Sequence, residues 1–251
     1  MHIKKVIFIG HDNFGSREIF TKMVKDHPEI EFLLIVTTGL YYKKKFIPSI
    51  IKLLKESSFL FSFNRFLELL KYKIKNDSLV RRAKNWGVRV FFTDDINGSN
   101  AHKVIRGFEP DVIYSSFTMH ILKSSTIKLS KIATIGCHPS ILPHYRGLEV
   151  FFWALANSET KSGCSVFYIT EKIDTGKVIL QEEFLIDEDE TVKSIYEKLT
   201  RICAKLMSLS LDKLIRKEEF IVYPSEGKGS YFPMPNNEAY EKFKLTGRKW
   251  K

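Results

Sequence analysis

Two short stretches of this chain carry the side chains best suited to chemistry. Residues 134–147 read TIGCHPSILPHYRG and place His138 just after an apolar run, and residues 171–176 read EKIDTG and contain Asp174. Each stretch follows a strand-like run, and ligands of open parallel sheets bind beyond strand ends. A histidine with a carboxylate partner is a common acid–base device, because the carboxylate orients the imidazole and stabilises the imidazolium. We therefore predict that His138 and Asp174 form an acid–base pair; a structural or solvated pair is the alternative.

The order of the surrounding motifs gives this pair a context. HPSILPHYRG at 138–147 is followed by WAL at 153–155, by Gly163 and by IDTG at 173–176. This ordered set, over roughly residues 1–185, resembles the folate-dependent N-formyltransferase family. The family includes glycinamide ribonucleotide formyltransferase, methionyl-tRNA formyltransferase and the nucleotide-sugar N-formyltransferases. The resemblance points to the family and does not select the member.

The resemblance implies roles for individual residues. His138 matches the catalytic histidine of the family and Asp174 its catalytic aspartate, whereas the family asparagine falls on Gly136. Loss of one donor to a developing oxyanion commonly costs roughly a hundred- to a thousandfold in rate. We expect a substitute from the Thr134 or Cys137 side chain or from a main-chain N–H at Gly136. The alternative is a non-catalytic binding protein on the same fold.

The remaining predicted site residues follow partly from the resemblance and partly from their places beside the predicted site. The segment at 119–122 corresponds to a folate-lining segment, although its pattern alone would make Met119 and Leu122 core residues. The guanidinium group of Arg146 could hold a phosphate or carboxylate. The alternative is that Arg146 is an ordinary surface arginine. His11 and Asn13 could line the acceptor pocket or only shape a turn. The predicted folate contacts are Met119, His120, Ile121, Leu122, Glu171, Ile173 and Asp174, and the predicted acceptor contacts are His11, Asn13, Pro143, Tyr145, Arg146 and Gly147.

The elements that must position these residues read as an α/β chain. A strand, a glycine turn and a helix start follow one another over residues 4–20, with Ser16 as the predicted N-cap. Gly10 and Gly15 do not complete a dinucleotide fingerprint, so NAD is disfavoured. Further strands are predicted at 31–37, 85–92, 110–115, 164–169 and 177–184, and helices at 95–107, 148–157 and 191–217.

We therefore predict a Rossmann-like, mostly parallel sheet flanked by helices, which is the formyltransferase fold. The catalytic domain is expected over residues 1–186. Residues 187–251 are expected to form an extension with a helix and a β-hairpin made by residues 220–223 and 230–233.

Residues 41–84 differ in character from the rest of the chain. Apolar residues recur there at spacings of three and four with lysines between them, which is typical of amphipathic helices. One interpretation is an insertion of helices packed on the sheet, with lysines on the solvated face. The other is a basic cover over an anionic substrate or an acidic lipid surface.

Composition narrows the class of partner. The 251-residue chain carries a formal charge of +11, which favours an anionic partner, although part of the lysine excess could serve solubility alone. Its three cysteines have no close spacing, which predicts reduced thiols in the cytoplasm and no zinc site. The apolar run at the amino terminus is too short for a signal peptide, and no stretch approaches the roughly 20 apolar residues of a membrane span.

The sequence thus predicts formyl transfer from N10-formyltetrahydrofolate to a primary amine, without a metal. A nucleotide-linked amino sugar, as in lipopolysaccharide biosynthesis, is the preferred acceptor. The chain stops short of the β-barrel domain of methionyl-tRNA formyltransferases, and the basic charge suits a diphosphate. Glycinamide ribonucleotide and methionyl-tRNA are the alternative acceptors, and a nucleic-acid binder, although disfavoured, is another class. A homodimer through the C-terminal extension is also expected.

Overall fold

The computed structural model describes residues 2–38, 57–118, 120–223 and 229–251. In this part of the chain the strands are β1 (Lys5–Gly10), β2 (Glu31–Thr37), β3 (Arg89–Thr93), β4 (Val112–Ser116), β5 (Ala133–His138), β6 (Arg146–Gly147), β7 (Lys161–Tyr168), β8 (Val178–Leu185) and β9 (Tyr231–Phe232). The helices are α1 (Phe14–Asp26), α2 (Phe59–Ile74), α3 (Leu79–Asn85), α4 (Ser99–Phe108), α5 (Ser124–Ile127), α6 (Val150–Ala156), α7 (Val192–Arg216) and α8 (Asn237–Leu245).

Seven strands form one sheet in the order β3-β2-β1-β4-β5-β7-β8. The first five in this order pair in parallel, and β7 and β8 join as antiparallel neighbours. Both faces of the parallel part are covered, so β1 has no polar side and Val6, Ile7, Phe8 and Ile9 are completely buried. The predicted mostly parallel sheet flanked by helices is confirmed.

Helices cover the sheet on both faces. One core cluster joins the sheet to α1 and α7 through residues such as Phe20 and Met207, and the other lies under α4 around Ile105. A third cluster packs α6, α7 and α8 together around Phe152. The sheet is therefore a rigid frame whose strand ends can hold side chains in register.

Two predicted helix starts are wrong. The N-cap of α1 is Asn13, whose side chain accepts a hydrogen bond from the Ser16 amide at 2.8 Å. The Ser16 hydroxyl is engaged instead with the Ser116 carbonyl. Helix α4 begins at Ser99 and not near Asp95, because the Asp95 carboxylate accepts from the Asn97 amide and forms a turn there.

The predicted C-terminal hairpin is also wrong. Strand β9 pairs in parallel with β6, and Tyr223 forms an isolated antiparallel bridge with Val178. Each segment thus satisfies its backbone groups against a different part of the catalytic half of the chain, so the two do not pair with each other. The Tyr145 ring stacks on Phe232 with centroids 4.6 Å apart, which holds the segment before β6 in place.

The C-terminal part packs closely on the rest of the fold. The long helix α7 lies against α1 and β7, and it begins at a capping box formed by Thr191 and Ser194. Helix α8, which the sequence analysis did not predict, has Asn236 as its N-cap and buries Phe243. The division into domains at residue 186 stays a prediction.

The predicted insertion is seen in part. Helix α2 and nearly all of α3 fall within residues 57–84, and the remaining residues of the insertion, 41–56, are outside the described part of the chain. Among the described residues, no helix is long and apolar enough to cross a bilayer.

Candidate active site

His138 is the last residue of β5 and is almost completely buried. Its Nε2 lies 2.7 Å from the Tyr145 carbonyl oxygen, and its Nδ1 lies 3.5 Å from Asp174 Oδ2. A carbonyl oxygen can only accept, so Nε2 carries a proton in this geometry. The second ring nitrogen is thereby left to face the carboxylate, and the ring orientation is fixed from both sides.

The loop that follows β7 fixes the position of Asp174. The loop leaves β7 at Ile169, whose amide donates to the Thr134 carbonyl at 2.9 Å. Asp174 has a left-handed backbone with φ 50°, and its Oδ2 accepts from the Gly147 amide at 3.1 Å. A Cβ at Gly176 would lie 1.6 Å from the Tyr168 carbonyl oxygen, so only glycine closes this loop. A strained residue held this tightly is typical of a functional position.

Gly136 lies on β5 between β4 and β7, two residues before His138. A Cβ placed there would be 3.0 Å from Ile169 Cγ1, 3.1 Å from Ile169 Cδ1 and 3.3 Å from the Ser115 carbonyl oxygen. Ile169 therefore occupies the space into which a side chain at position 136 would grow. The glycine and the isoleucine are complementary in size.

The His138–Asp174 pair opens onto a cavity of about 830 Å³. The cavity extends from the ends of β1, β4 and β5 to the inner side of α2. Predicted site residues that line it are His11, Asn13, His120, Ile121, Leu122, Gly136, His138, Gly147, Ile173 and Asp174.

Asn13 has a local structural role as well as a place in this cavity wall. Its side chain caps α1, and its Nδ2 donates to the Phe117 carbonyl at 3.3 Å. Asn13 therefore shapes the start of α1 and also lines the cavity, and its contact with an acceptor stays a prediction.

Four predicted site residues do not line the cavity. The Glu171 carboxylate accepts from the Ser124 amide at 2.7 Å at the start of α5. The Tyr145 hydroxyl bonds to Glu159 and Asn157, so the tyrosine reaches the site only through its carbonyl oxygen. Pro143 follows a cis peptide bond in the loop before β6, and Arg146 lies on β6 itself. Met119 lies outside the described residues.

A second polar group lines the cavity, and sequence reasoning missed it. Arg65 on α2 contacts Glu68 at 2.6 Å and Glu149 at 3.4 Å, and its guanidinium lies over the Tyr196 ring at 5.3 Å. Burial raises the pKa of the Glu149 carboxyl, while Arg65 opposes that shift, and burial raises the pKa of Tyr196 to about 12. These residues come from distant parts of the sequence, and no local pattern joins them.

All three cysteines meet beneath the cavity as free thiols. Cys164 Sγ lies 2.7 Å from Cys203 Sγ, and Cys137 Sγ lies 2.9 Å from the Ser116 hydroxyl. Cys137 also lines the cavity beside His138. Their wide separation in sequence gave no sign of this cluster.

Known proteins resemble this chain in sequence and in fold. The family model for formyl transferases matches residues 75–211. A methionyl-tRNA formyltransferase of Geobacillus thermodenitrificans is 30% identical over 151 residues, which cover 60% of this chain and 47% of the relative. The bifunctional polymyxin resistance protein ArnA of Wigglesworthia glossinidia brevipalpis is 28% identical over 160 residues, which cover 64% of this chain and 24% of the relative. The chain thus spans about half the length, or less, of these curated relatives.

Solved structures share the fold over nearly the whole chain. A sugar N-formyltransferase from Shewanella superposes with a TM-score of 0.61 and 18% identity, covering 92% of this chain and 77% of the other. Glycinamide ribonucleotide transformylase 1 from Symbiobacterium toebii gives a TM-score of 0.64 and 15% identity, covering 91% and 92%. At such identities the likeness concerns the fold, whereas the family model covers more than half of the sequence. The chain therefore belongs to the formyl transferase family.

Proposed function

We propose that this protein transfers a formyl group from N10-formyltetrahydrofolate to a primary amine. The observation that carries the proposal is the His138–Asp174 pair, 3.5 Å apart, at a cavity of about 830 Å³ in a chain of this family. The cavity is large enough for two small-molecule substrates to meet at the pair.

The cavity wall suits a folate. Ile121, Leu122, Ile169 and Ile173 supply an apolar surface on the side of the pair next to β4 and the loop after β7. An apolar wall with a few polar groups at its edge is what a flat heteroaromatic ring requires. The co-substrate would bind there and supply an activated formyl group.

The two members of the pair would divide the proton transfers. A protonated His138 would donate a hydrogen bond from Nδ1 to the formyl oxygen, where negative charge develops as the amine nitrogen bonds to the formyl carbon, and it would keep that proton at this stage. Asp174 would accept the proton that the amine loses, directly or through a water molecule. As the carbonyl re-forms and the bond between the formyl carbon and the folate nitrogen breaks, His138 would pass its Nδ1 proton to that nitrogen. The proton held by Asp174 would then return to Nδ1. Both positions are rigid because Tyr145 and Gly147 hold the pair through main-chain hydrogen bonds.

The family asparagine would have to be replaced in this scheme. Gly136 has no side chain, and Ile169 fills the space that a side chain there would occupy. Position 136 therefore supplies no side-chain donor in place of the family amide. The Thr134 hydroxyl donates to the Ile127 carbonyl at 2.9 Å, which removes it as a candidate. A main-chain N–H or a water molecule is the donor that we propose.

We favour a nucleotide-linked amino sugar as the acceptor. The charge of +11 suits a diphosphate. Several solved relatives are sugar N-formyltransferases, and one from Helicobacter canadensis was crystallised with folinic acid and dTDP-3-aminofucose, at a TM-score of 0.60 and 18% identity over 92% of this chain and 71% of the other. Glycinamide ribonucleotide and methionyl-tRNA remain the other acceptors to test.

The test is an acceptor panel with N10-formyltetrahydrofolate as the donor. Nucleotide-linked amino sugars, glycinamide ribonucleotide and methionyl-tRNA are compared by tetrahydrofolate release and by the mass of the formylated product. We expect turnover with an amino sugar. Turnover with only one of the other two acceptors would correct the substrate class, and folate binding without turnover on any acceptor would support the binding-protein alternative.

A further inference from the structure

The outward side of α2 is almost entirely apolar. Phe59, Phe63, Phe66, Leu70 and Ile74 are exposed by 66%, 48%, 58%, 43% and 72%. Their spacings of four, three, four and four residues place them along one side of the helix. A surface helix normally turns its apolar side inward, so an apolar side that stays exposed is unusual.

The opposite side of α2 buries Phe61 against Phe152, and it also carries polar side chains that contact the body of the protein. Arg65 contacts Glu68 and Glu149, and the Tyr72 hydroxyl donates to Asp12 at 2.9 Å. These contacts determine which way the helix faces. The apolar stripe is therefore a fixed outer surface, and rotation of the helix cannot bury it without breaking them.

Cations border the stripe at the carboxyl end of α2. Lys71 and Lys75 are exposed there. Burial and the neighbouring ammonium groups of Lys71 and Lys193 lower the pKa of Lys251, while Glu68 opposes that shift, so the lysine cluster on this side includes one carboxylate. Together with the overall charge of +11, this cluster favours an anionic partner for the stripe.

We propose that the outer side of α2 binds the surface of an anionic lipid bilayer, with the helix lying in the plane of the interface. A helix of 16 residues is about 24 Å long, and aromatic and aliphatic side chains flanked by lysines are the usual composition of such an interfacial helix. A second copy of this chain would bring the same lysine cluster against itself, whereas acidic headgroups neutralise it. The proposal concerns membrane binding and does not depend on the proposed activity.

The experiment measures binding of the full chain to vesicles by co-sedimentation. Vesicles of phosphatidylglycerol mixed with phosphatidylcholine are compared with vesicles of phosphatidylcholine alone. We expect binding to the anionic vesicles only, and weaker binding as salt is raised, because the lysine contribution is screened.

A double variant, Phe63→Gln with Phe66→Gln, should lower the bound-to-free ratio about tenfold or more while the far-UV circular dichroism is unchanged, because glutamine favours a helix. The matched control is Ile221→Gln with Leu245→Gln, since these side chains are 76% and 88% exposed and lie outside α2. The control should bind as the wild type does.

Three results would overturn the proposal. The first is that the wild-type protein does not bind anionic vesicles at low salt. The second is that the two double variants lose binding equally, and the third is that the α2 variant binds as well as the wild type does. If wild type stays unbound and is a dimer that the α2 variant dissociates, the stripe is an interface between two copies.

Discussion

At the scale of single residues, the position of His138 depends on two contacts that act on different ring nitrogens. The Tyr145 carbonyl fixes Nε2 and the Asp174 carboxylate faces Nδ1. A histidine held in this way has one orientation and one available proton-transfer edge, which is what acid–base chemistry requires.

If His138 and Asp174 act together, the losses of activity caused by substituting each of them should not add. His138→Ala and Asp174→Asn should each lower kcat/KM by about a hundredfold or more, and the double variant should be little worse than either one. Steady-state kinetics of the three variants, with folate binding measured separately, test this. His144→Ala is the matched control, because His144 is exposed and lies six residues from His138 in the same loop. Additive losses of activity, or activity close to wild type in either single variant, would contradict the assignment of these two residues as a catalytic pair.

The complementary sizes of Gly136 and Ile169 lead to a second prediction. Gly136→Asn alone should be overpacked and destabilise the fold by about 1–3 kcal/mol. Addition of Ile169→Ala should recover much of that loss, because it empties the space that the new side chain needs. Urea unfolding of both variants measures the effect.

Gly107→Asn is the control for crowding at Gly136, since a Cβ at Gly107 has no atom within 4 Å. It should change stability little. If Gly136→Asn is as harmless as Gly107→Asn, the crowding by Ile169 is not the constraint that we describe. In the stable double variant, formyl transfer at or above the wild-type rate would show that the family amide can be restored.

At the scale of elements, α2 closes one side of the cavity through the charges on its inner side. Arg65 lies between the carboxylates of Glu68 and Glu149, and Glu68 also accepts from the Trp250 indole at 2.8 Å. The helix is thus joined to α6 and to the C-terminal residues by partly buried polar contacts. Such contacts determine orientation more than they add stability.

Removal of Arg65 should be costly because it leaves two carboxylates without their cation. Arg65→Ala is expected to lower the free energy of unfolding by roughly 3 kcal/mol, whereas Arg216→Ala should cost less than about 1 kcal/mol because that arginine is an exposed partner of Glu218. Urea denaturation compares the two variants. Adding Glu149→Gln to Arg65→Ala should recover part of the loss. Equal effects of the two arginine substitutions would show that the Arg65 contacts do not hold α2.

At the scale of the whole molecule, the basic charge must be weighed against the class of acceptor. A charge of +11 attracts any polyanion, so affinity alone does not separate a nucleotide sugar from tRNA. The number of phosphates that are neutralised does separate them, because each one adds to the salt dependence. The predicted homodimer and the predicted cytoplasmic location stay predictions.

Binding of a nucleotide-linked amino sugar should therefore weaken only slightly with salt. With about two phosphates contacted, the slope of log K against log salt should be near −2 or shallower. Calorimetric titrations at several salt concentrations measure this slope for the sugar, and tRNA serves as the comparison. Tight tRNA binding with a much steeper slope, together with absence of sugar binding, would select the tRNA acceptor instead.

The sequence by itself determined the strands and the two stretches that meet at the site. Continuous apolar runs such as residues 6–9 specify buried parallel strands through local composition alone, and the order of motifs from 138 to 176 identifies the family before any contact is known. The roles assigned to Gly136 and to Met119–Leu122 come from the resemblance and not from a physical pattern in the sequence. Turn and cap positions were less certain, because several polar residues near Ser16 and Asp95 were equally able to begin a helix.

Only the tertiary structure decided what the distant segments do to one another. It pairs residues 231–232 with residues 146–147, assembles Arg65 with Glu149 and Tyr196, and sets Ile169 beside Gly136. It also turns the apolar side of α2 outward, where the sequence pattern left its direction open. Periodicity along a chain specifies which side chains share a face, but contacts across the fold decide which face is buried.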